Sequence, residues 1–118
     1  MQVSERQEGD ATIVKLEGRF DFANRRVFKD TIDRVQSSSS QRVILDLEGV
    51  SFVDSSALGL LVIAHQQFKT RQQRLSLAHP QPYVRQVLEL ANVPKMIPVY
   101  STVREAVAAA GEAMTAVR

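Results

Sequence analysis

The segment Val43-Ile44-Leu45-Asp46-Leu47 decides the fold class, because it is short, begins with β-branched residues and is apolar at nearly every position. Such a run is typical of a strand that is covered on both faces of a sheet. The segment Phe52-Val53-Asp54-Ser55-Ser56-Ala57-Leu58-Gly59 leads into a long apolar stretch. Asp and Ser before such a stretch are signals of a helix start, so we predict a helix from Ala57 to about Gln72, with residues 48–53 as the connection.

The rest of the chain repeats this alternation of β-like and helical runs. We predict strands at Thr12–Glu17, ended by Gly18, at Leu75–Ala78 and, as a weak edge strand, at Ile97–Tyr100. Three further helices are predicted from apolar residues at helical spacing: Val27, Phe28, Ile32 and Val35; Val84, Val87, Leu88 and Ala91; and Val103, Val107, Ala110 and Met114. The first of these ends at the serine run 37–40, the second ends at Asn92-Val93-Pro94, and Ser101-Thr102 caps the third.

This alternation predicts an α/β fold, with one mixed β-sheet of about four or five strands packed with about four helices. The pattern leaves the order of the strands open. A chain of 118 residues without a linker or repeat is expected to form a single domain over residues 1–118.

Composition excludes several classes of function. The chain has no cysteine, so disulfides and thiolate chemistry are excluded. Its net charge is +2 and its basic residues are scattered, which argues against a nucleic-acid partner. The first ten residues lack the apolar core of a signal peptide, and the apolar run 57–64 is far shorter than the ~20 residues that cross a bilayer. We therefore expect a cytoplasmic protein without a membrane span.

Catalytic and metal-binding patterns are poorly represented. His65 and His79 have no ligand partner at helical spacing, and the five glycines are too dispersed for a phosphate-binding loop. Asp46 could be the phospho-acceptor of a receiver domain, but the required acidic pair and lysine after other strands are missing, so we expect a strand-end or loop-anchoring role. We predict no enzymatic activity, no cofactor and no metal site.

The residues Asp54-Ser55-Ser56 allow two interpretations. One is a helix N-cap, whose side-chain oxygen accepts a backbone N–H and contributes about 1 kcal/mol. Capping needs a single residue, however, and a serine in the first helical turn also suits phosphorylation, because the N-terminal N–H groups favour an anion. A phosphate adds about −1.5 to −2 charges. Beside Asp54, and beside Asp21 if the first loop lies nearby, it would make the surface strongly negative and repel a partner.

Three segments of the sequence resemble those of a known family. Asp54-Ser55-Ser56-Ala57-Leu58-Gly59 is similar to the signature of STAS domains, specifically of bacterial anti-sigma factor antagonists. Gly18-Arg19-Phe20-Asp21 resembles the family's Gly-x-hydrophobic-Asp segment, and Val43–Leu47 resembles its central strand. The resemblance runs from Thr12 to the final helix in the same order and spacing. Ala57 departs from the pattern, since many members have glycine there.

The resemblance implies a partner-switching protein. Such an antagonist binds an anti-sigma factor that is also a serine kinase of the histidine-kinase-like ATPase type, and binding frees the sigma factor. Phosphorylation of Ser55 would release the antagonist, and a PP2C-type phosphatase would restore it. The implied partner-binding residues are Asp21, Asp54, Ser56, Ala57, Leu58 and Gly59. The simplest expectation is a monomer that exchanges partners.

Two alternatives remain beside this hypothesis. A STAS domain could instead serve as an adaptor in a biofilm or motility pathway, or as a subunit of a lipid-transport complex. An uncharacterised enzyme is the weaker alternative. Phe20 and Phe22, which flank Asp21, are expected to place one ring in the core, and the other could join a docking patch.

Overall fold

The computed structural model describes residues 1–38 and 40–116, with side chains up to residue 109. Its strands are β1 (Gln2–Glu8), β2 (Ala11–Phe20), β3 (Arg42–Val53), β4 (Arg74–Ala78) and β5 (Val99–Tyr100). Its α-helices are α1 (Arg25–Gln36), α2 (Ser55–Thr70), α3 (Pro82–Leu90) and α4 (Val103–Ala116). Single 3-10 turns lie at Phe22–Asn24 and Val93–Lys95.

The five strands form one sheet in the order β1-β2-β3-β4-β5. The β1 strand is antiparallel to β2, whereas β2, β3, β4 and β5 run parallel. The predicted α/β fold with a mixed sheet is therefore confirmed, and so is the edge position of the last strand. None of the helices in the described ranges is long and apolar enough to span a bilayer.

The core lies on both faces of the sheet, because alternate residues of a strand point to opposite sides. Val43, Leu45 and Leu47 pack on one side with the apolar faces of α1, α2 and α3. Ile44 points to the other side, where it joins a smaller cluster that contains Ala106 of α4. A strand covered on both faces must be apolar throughout, which is the pattern seen in the sequence of β3.

Arg42 fastens α4 to the sheet. The guanidinium of Arg42, which is buried, binds Asp10 through Nε at 3.0 Å and donates from Nη1 to the Val107 carbonyl at 2.9 Å. The hydrogen bond from Arg42 lowers the pKa of Asp10, outweighing the opposite effect of desolvation. The expected helix start is also present, since Thr102 Oγ1 accepts the Glu105 N–H at 3.0 Å. The expected apolar side chains of Ala110 and Met114 lie outside the described side chains.

The predicted ends of the two central strands are wrong. The β2 strand continues past Gly18 to Phe20, and β3 continues past Leu47 to Val53. The β2 strand has ten residues and β3 has twelve, and they are joined through nine paired positions, with register shifts at Lys15/Glu17 and Gly18/Arg19. These irregularities explain the polar residues that suggested a connection, because a bulge leaves side chains and N–H groups outside the regular ladder.

Asp46 stabilises the backbone at the first of these bulges, near Lys15 and Glu17. Its Oδ1 accepts the backbone N–H of Glu48 at 3.1 Å. Asp46 is therefore an anchoring residue, as expected, but it lies within the strand rather than at its end.

Three other elements also differ from the predictions. The β1 strand was not predicted, because its sequence is almost entirely polar and it forms by pairing its backbone with β2 at the sheet edge. The β5 strand begins at Val99, later than predicted, and has two residues. The second helix spans Ser55–Thr70, so it begins two residues before Ala57.

We predict that Gly49→Ala destabilises the protein by about 1–3 kcal/mol, because overpacking forces neighbouring atoms to shift. A Cβ at Gly49 would lie 2.7 Å from Glu17 Cγ and 3.2 Å from the Leu16 carbonyl oxygen. Urea denaturation measures the effect. The control is Gly59→Ala, where a Cβ meets no atom within 4 Å. Equal stability of the two variants would contradict the tight β2–β3 contact.

Candidate functional site

The candidate site forms where β2 and β3 end side by side. The parallel register pairs Phe20, the last residue of β2, with Val53, the last residue of β3. Asp21 and Asp54 come directly after these residues. In parallel sheets, loops at the carboxyl ends of neighbouring strands share one edge, which is where binding sites commonly form. The first loop therefore does lie near Asp54, as the proposed negative surface requires.

Asp54 joins the two loops. It is the N-cap of α2, and its Oδ1 accepts the N–H of Ala57 at 2.9 Å, so the predicted cap is confirmed. Its Oδ2 accepts the backbone N–H of Phe22 at 3.1 Å. The second bond could not be inferred from the local sequence. Together the two bonds hold the start of α2 against the turn after β2.

Asp21 has a similar role in its own loop. It caps the 3-10 turn, and Oδ1 accepts from the Asn24 backbone N–H at 3.2 Å and from Asn24 Nδ2 at 2.9 Å. Its Oδ2 pairs with Arg19 Nε at 3.2 Å. Partial desolvation acts to raise the pKa of Asp21, but the hydrogen bonds from Asn24 and Arg19 outweigh it and hold the pKa below its ordinary value. Asp21 is therefore ionised at neutral pH.

Ser55 is the first residue of α2, and it is exposed. Ser56 follows it and is partly buried. Among the residues that the structure describes, neither hydroxyl has a hydrogen-bond partner. The helix cap is provided by Asp54 and needs neither serine. The site therefore presents a serine hydroxyl to solvent at the positive end of a helix.

The next three residues of the motif differ in accessibility. Ala57 is fully buried and packs in the main core. Leu58 is partly buried against that core, whereas Gly59 is exposed and has open space above it. Of these three implied partner-binding residues, Gly59 offers the most accessible surface, and Ala57 contributes by fixing the helix start.

Two arginines that were not predicted also lie at the site. The guanidinium of Arg19 lies 4.1 Å from the centre of the Phe52 ring, and that of Arg25 lies 3.8 Å from the centre of the Phe22 ring. Arg25 also donates to the Phe22 carbonyl at 2.9 Å. The surface before any modification thus carries mixed charge rather than strongly negative charge. Arg25 and Phe22 belong to one short segment, whereas Arg19 and Phe52 are far apart in the sequence, so only the first contact lies within a local pattern.

The two phenylalanines beside Asp21 point in opposite directions. Phe20 is fully buried and packs against Phe28, with ring centres 4.6 Å apart. Phe22 is 56% exposed. This confirms that one ring lies in the core and leaves the other on the surface of the site.

His65, the first of the two histidines, is partly buried on α2. Burial, and to a lesser degree the charge of Lys69, lower its pKa, so the imidazole is neutral at physiological pH. The other histidine, His79, lies exposed after β4.

The family follows from the whole chain rather than from the site alone. A family model of the STAS domain matches residues 2–106. The chain belongs to the STAS domain family. It is 30% identical over 92 residues to a STAS-domain containing protein of Pseudomonas aeruginosa (strain UCBPP-PA14). That match covers 78% of this chain and 90% of the relative.

Solved STAS domains have the same architecture. An anti-sigma-factor antagonist (STAS) domain protein from Planctomyces limnophilus superposes with a TM-score of 0.80 at 27% identity, covering 91% of this chain and 96% of that one. The anti-sigma factor antagonist SpoIIAA in its unphosphorylated form gives 0.75 at 21% identity, covering 90% and 93%. The Bacillus protein SpoIIAA in its phosphorylated form gives 0.68 at 20% identity, covering 92% and 99%. The resemblance to this family that the sequence indicated is therefore confirmed.

We predict that Asp54→Ala lowers the free energy of unfolding by about 1–2 kcal/mol, because this STAS domain loses its α2 cap and the partner of the Phe22 N–H. Asp54→Asn retains one acceptor oxygen and should lose less. Chemical denaturation of both variants measures the difference, with Asp30→Ala on the exposed side of α1 as the control. A loss no greater than that of Asp30→Ala would show that Asp54 does not join the loops.

Proposed function

We propose that this STAS domain is an anti-sigma factor antagonist controlled at Ser55. It binds an anti-sigma factor/serine kinase of the histidine-kinase-like ATPase type while Ser55 is unmodified, and phosphorylation of Ser55 releases it. The observation that carries the proposal is the exposure of Ser55 as the first residue of α2, directly after a cap that both loops share.

The surroundings of Ser55 favour its modification without loss of the fold. A phosphoryl group there would face the N-terminal N–H groups and the positive end of a 16-residue helix. The cap does not depend on the serine hydroxyl, because both oxygens of Asp54 accept backbone N–H groups. The modified protein can therefore keep its structure while its surface charge changes.

Release of the partner follows from charge and desolvation. A phosphate adds about −1.5 to −2 charges to a surface that already contains Asp21 and Asp54. An interface formed over Ser55 would have to bury that charge or pair it, and a partner arranged for a neutral hydroxyl does neither. The similarity to SpoIIAA, a protein of this fold solved in both phosphorylated and unphosphorylated forms, supports the proposal.

The other parts of the proposed circuit come from the resemblance to anti-sigma factor antagonists. The domain acts in the cytoplasm as a monomer, as a binding partner and kinase substrate rather than as a catalyst. A PP2C-type phosphatase returns it to the binding form. The proposed docking surface surrounds Ser55 and is formed by Asp21, Asp54, Ser56, Leu58 and Gly59, with Ala57 beneath it.

We expect Ser55→Ala to bind the kinase whether or not Mg-ATP is present, because this variant cannot be phosphorylated. Ser55→Asp should bind at least tenfold more weakly than the unmodified wild type, a difference of about 1.4 kcal/mol. Titration calorimetry with an anti-sigma factor kinase from the same organism measures both, in the presence of ADP and after incubation with ATP.

The matched control is Ser56→Ala, which removes the neighbouring hydroxyl and should leave both binding and release unchanged. Mass spectrometry of the wild type after incubation with kinase and ATP should place the phosphate on Ser55. Equal binding by wild type, Ser55→Ala and Ser55→Asp would contradict the switch and favour an adaptor role. A phosphate on Ser56 alone would contradict the assignment of the acceptor.

A second prediction concerns Gly59, which lies on α2 four residues after Ser55. Gly59→Ala should raise the free energy of unfolding by about 0.5–1 kcal/mol, because glycine is unfavourable within a helix. The same methyl group should weaken kinase binding if the partner approaches this surface closely. Gln66→Ala, an exposed position about two turns further along α2, is the control. Unchanged binding by a stabilised Gly59→Ala would place the interface away from this part of α2.

A further inference from the structure

A group of metal-ligating side chains lies where β3 passes the end of β4. Asp46 and Glu48 belong to β3, and His79 directly follows β4. The parallel register pairs Asp46 with Ala78, the residue before His79, so the three residues meet through the sheet rather than through their order in the chain. Each offers one ligand atom, and these atoms lie within 4.8 Å of one another.

The two exposed members of the group are already in contact. Glu48 Oε1 lies 3.7 Å from His79 Nδ1. Their side chains are 53% and 47% exposed, so they can move toward a common ligand without disturbing the core. In a tetrahedral zinc site with bonds of 2.0–2.1 Å, ligand atoms lie about 3.3 Å apart. The ligand atoms would therefore have to move only slightly closer together to hold an ion, a distance that is small compared with the length of the Glu48 side chain.

The third member is a buried carboxylate with an incomplete set of partners. Asp46 is 5% exposed, and its Oδ1 accepts the Glu48 N–H. Among the residues that the structure describes, none donates a hydrogen bond to Oδ2, and no lysine or arginine pairs with this side chain. Oδ2 is not enclosed by protein atoms, so water and ions can still reach it. The Asp46 side chain lies beside Glu48 and His79, and the three side chains could together hold a cation.

The backbone holds both sides of the group in place. His79 has a positive φ of 57°, and its N–H donates to the Tyr100 carbonyl at 2.9 Å. Gln81 Nε2 donates to the Glu48 carbonyl at 2.5 Å. These bonds join the turn after β4 to β3 and to β5, so His79 and Glu48 face each other from fixed backbone positions.

We propose that Asp46, Glu48 and His79 bind a divalent transition-metal ion of the Zn²⁺ type. One imidazole nitrogen and two carboxylate oxygens suit an ion of intermediate softness, whereas Mg²⁺ and Ca²⁺ prefer oxygen ligands alone. Three protein ligands leave a further coordination position for water or for a group from another molecule. The ion links β3 to the turn after β4.

This metal site is independent of the proposed switch. Asp46 lies two positions after Ile44, on the face of the sheet that α4 covers, whereas α2 packs on the opposite face. Asp46 also precedes Ser55 by most of the length of β3. Loss of metal binding and loss of phosphorylation can therefore be measured separately.

Titration of the untagged full chain with Zn²⁺ tests the proposal. We expect one ion bound per chain, with a rise in the thermal midpoint, and no comparable effect of Mg²⁺. His79→Asn and Glu48→Gln should each weaken Zn²⁺ binding at least tenfold. Asparagine is chosen for residue 79 because it tolerates a positive φ, so the variant keeps the turn. Circular dichroism confirms that both variants fold.

The matched control is His65→Asn, which removes the other histidine and should leave Zn²⁺ affinity unchanged. Absence of one-to-one binding by the wild type would overturn the proposal, as would unchanged affinity in His79→Asn. Equal affinity for Mg²⁺ and Zn²⁺ would overturn the assignment of the ion class.

Discussion

The parallel pairing of β2 with β3 is the constraint on which the rest of the structure depends. It places Phe20 beside Val53 at the end of both strands. The two loops that follow therefore begin side by side, and Asp54 can accept one N–H from its own helix and another from Phe22. The start of α2, and with it Ser55, is fixed by this pairing rather than by the helix alone.

The same pairing is irregular, and its irregularities have consequences on both sides of the sheet. The β3 strand contains two more residues than the segment of β2 that it matches. Asp46 accommodates the first bulge by accepting the Glu48 N–H. Gly49 leaves room for the close passage of β2. A regular strand would end in a different register, and the loops after β2 and β3 would no longer face each other.

Without a phosphate, the acidic side chains at the proposed switch are balanced by neighbouring arginines. Asp21 is paired with Arg19, and Arg25 lies on the ring of Phe22. Exposed ion pairs and cation–π contacts of this kind contribute modestly to stability but define the shape and charge of a surface. The domain thus presents a surface of mixed charge around Ser55, and the proposed single phosphate would add about −1.5 to −2 charges to it.

The sequence by itself determined the α/β class, the helices and the interiors of the central strands, because apolar spacing is local and buried faces must be apolar. It also indicated the cap at Asp54, since helix starts have a local signature. Only the tertiary structure decided the strand order, the polar edge strand β1, the bond between Asp54 and Phe22, and the group formed by Asp46, Glu48 and His79. These features join residues far apart in the chain, such as the 32 positions between Phe22 and Asp54, and depend on strand register. Local patterns of residues carry no record of which distant segment becomes the neighbour.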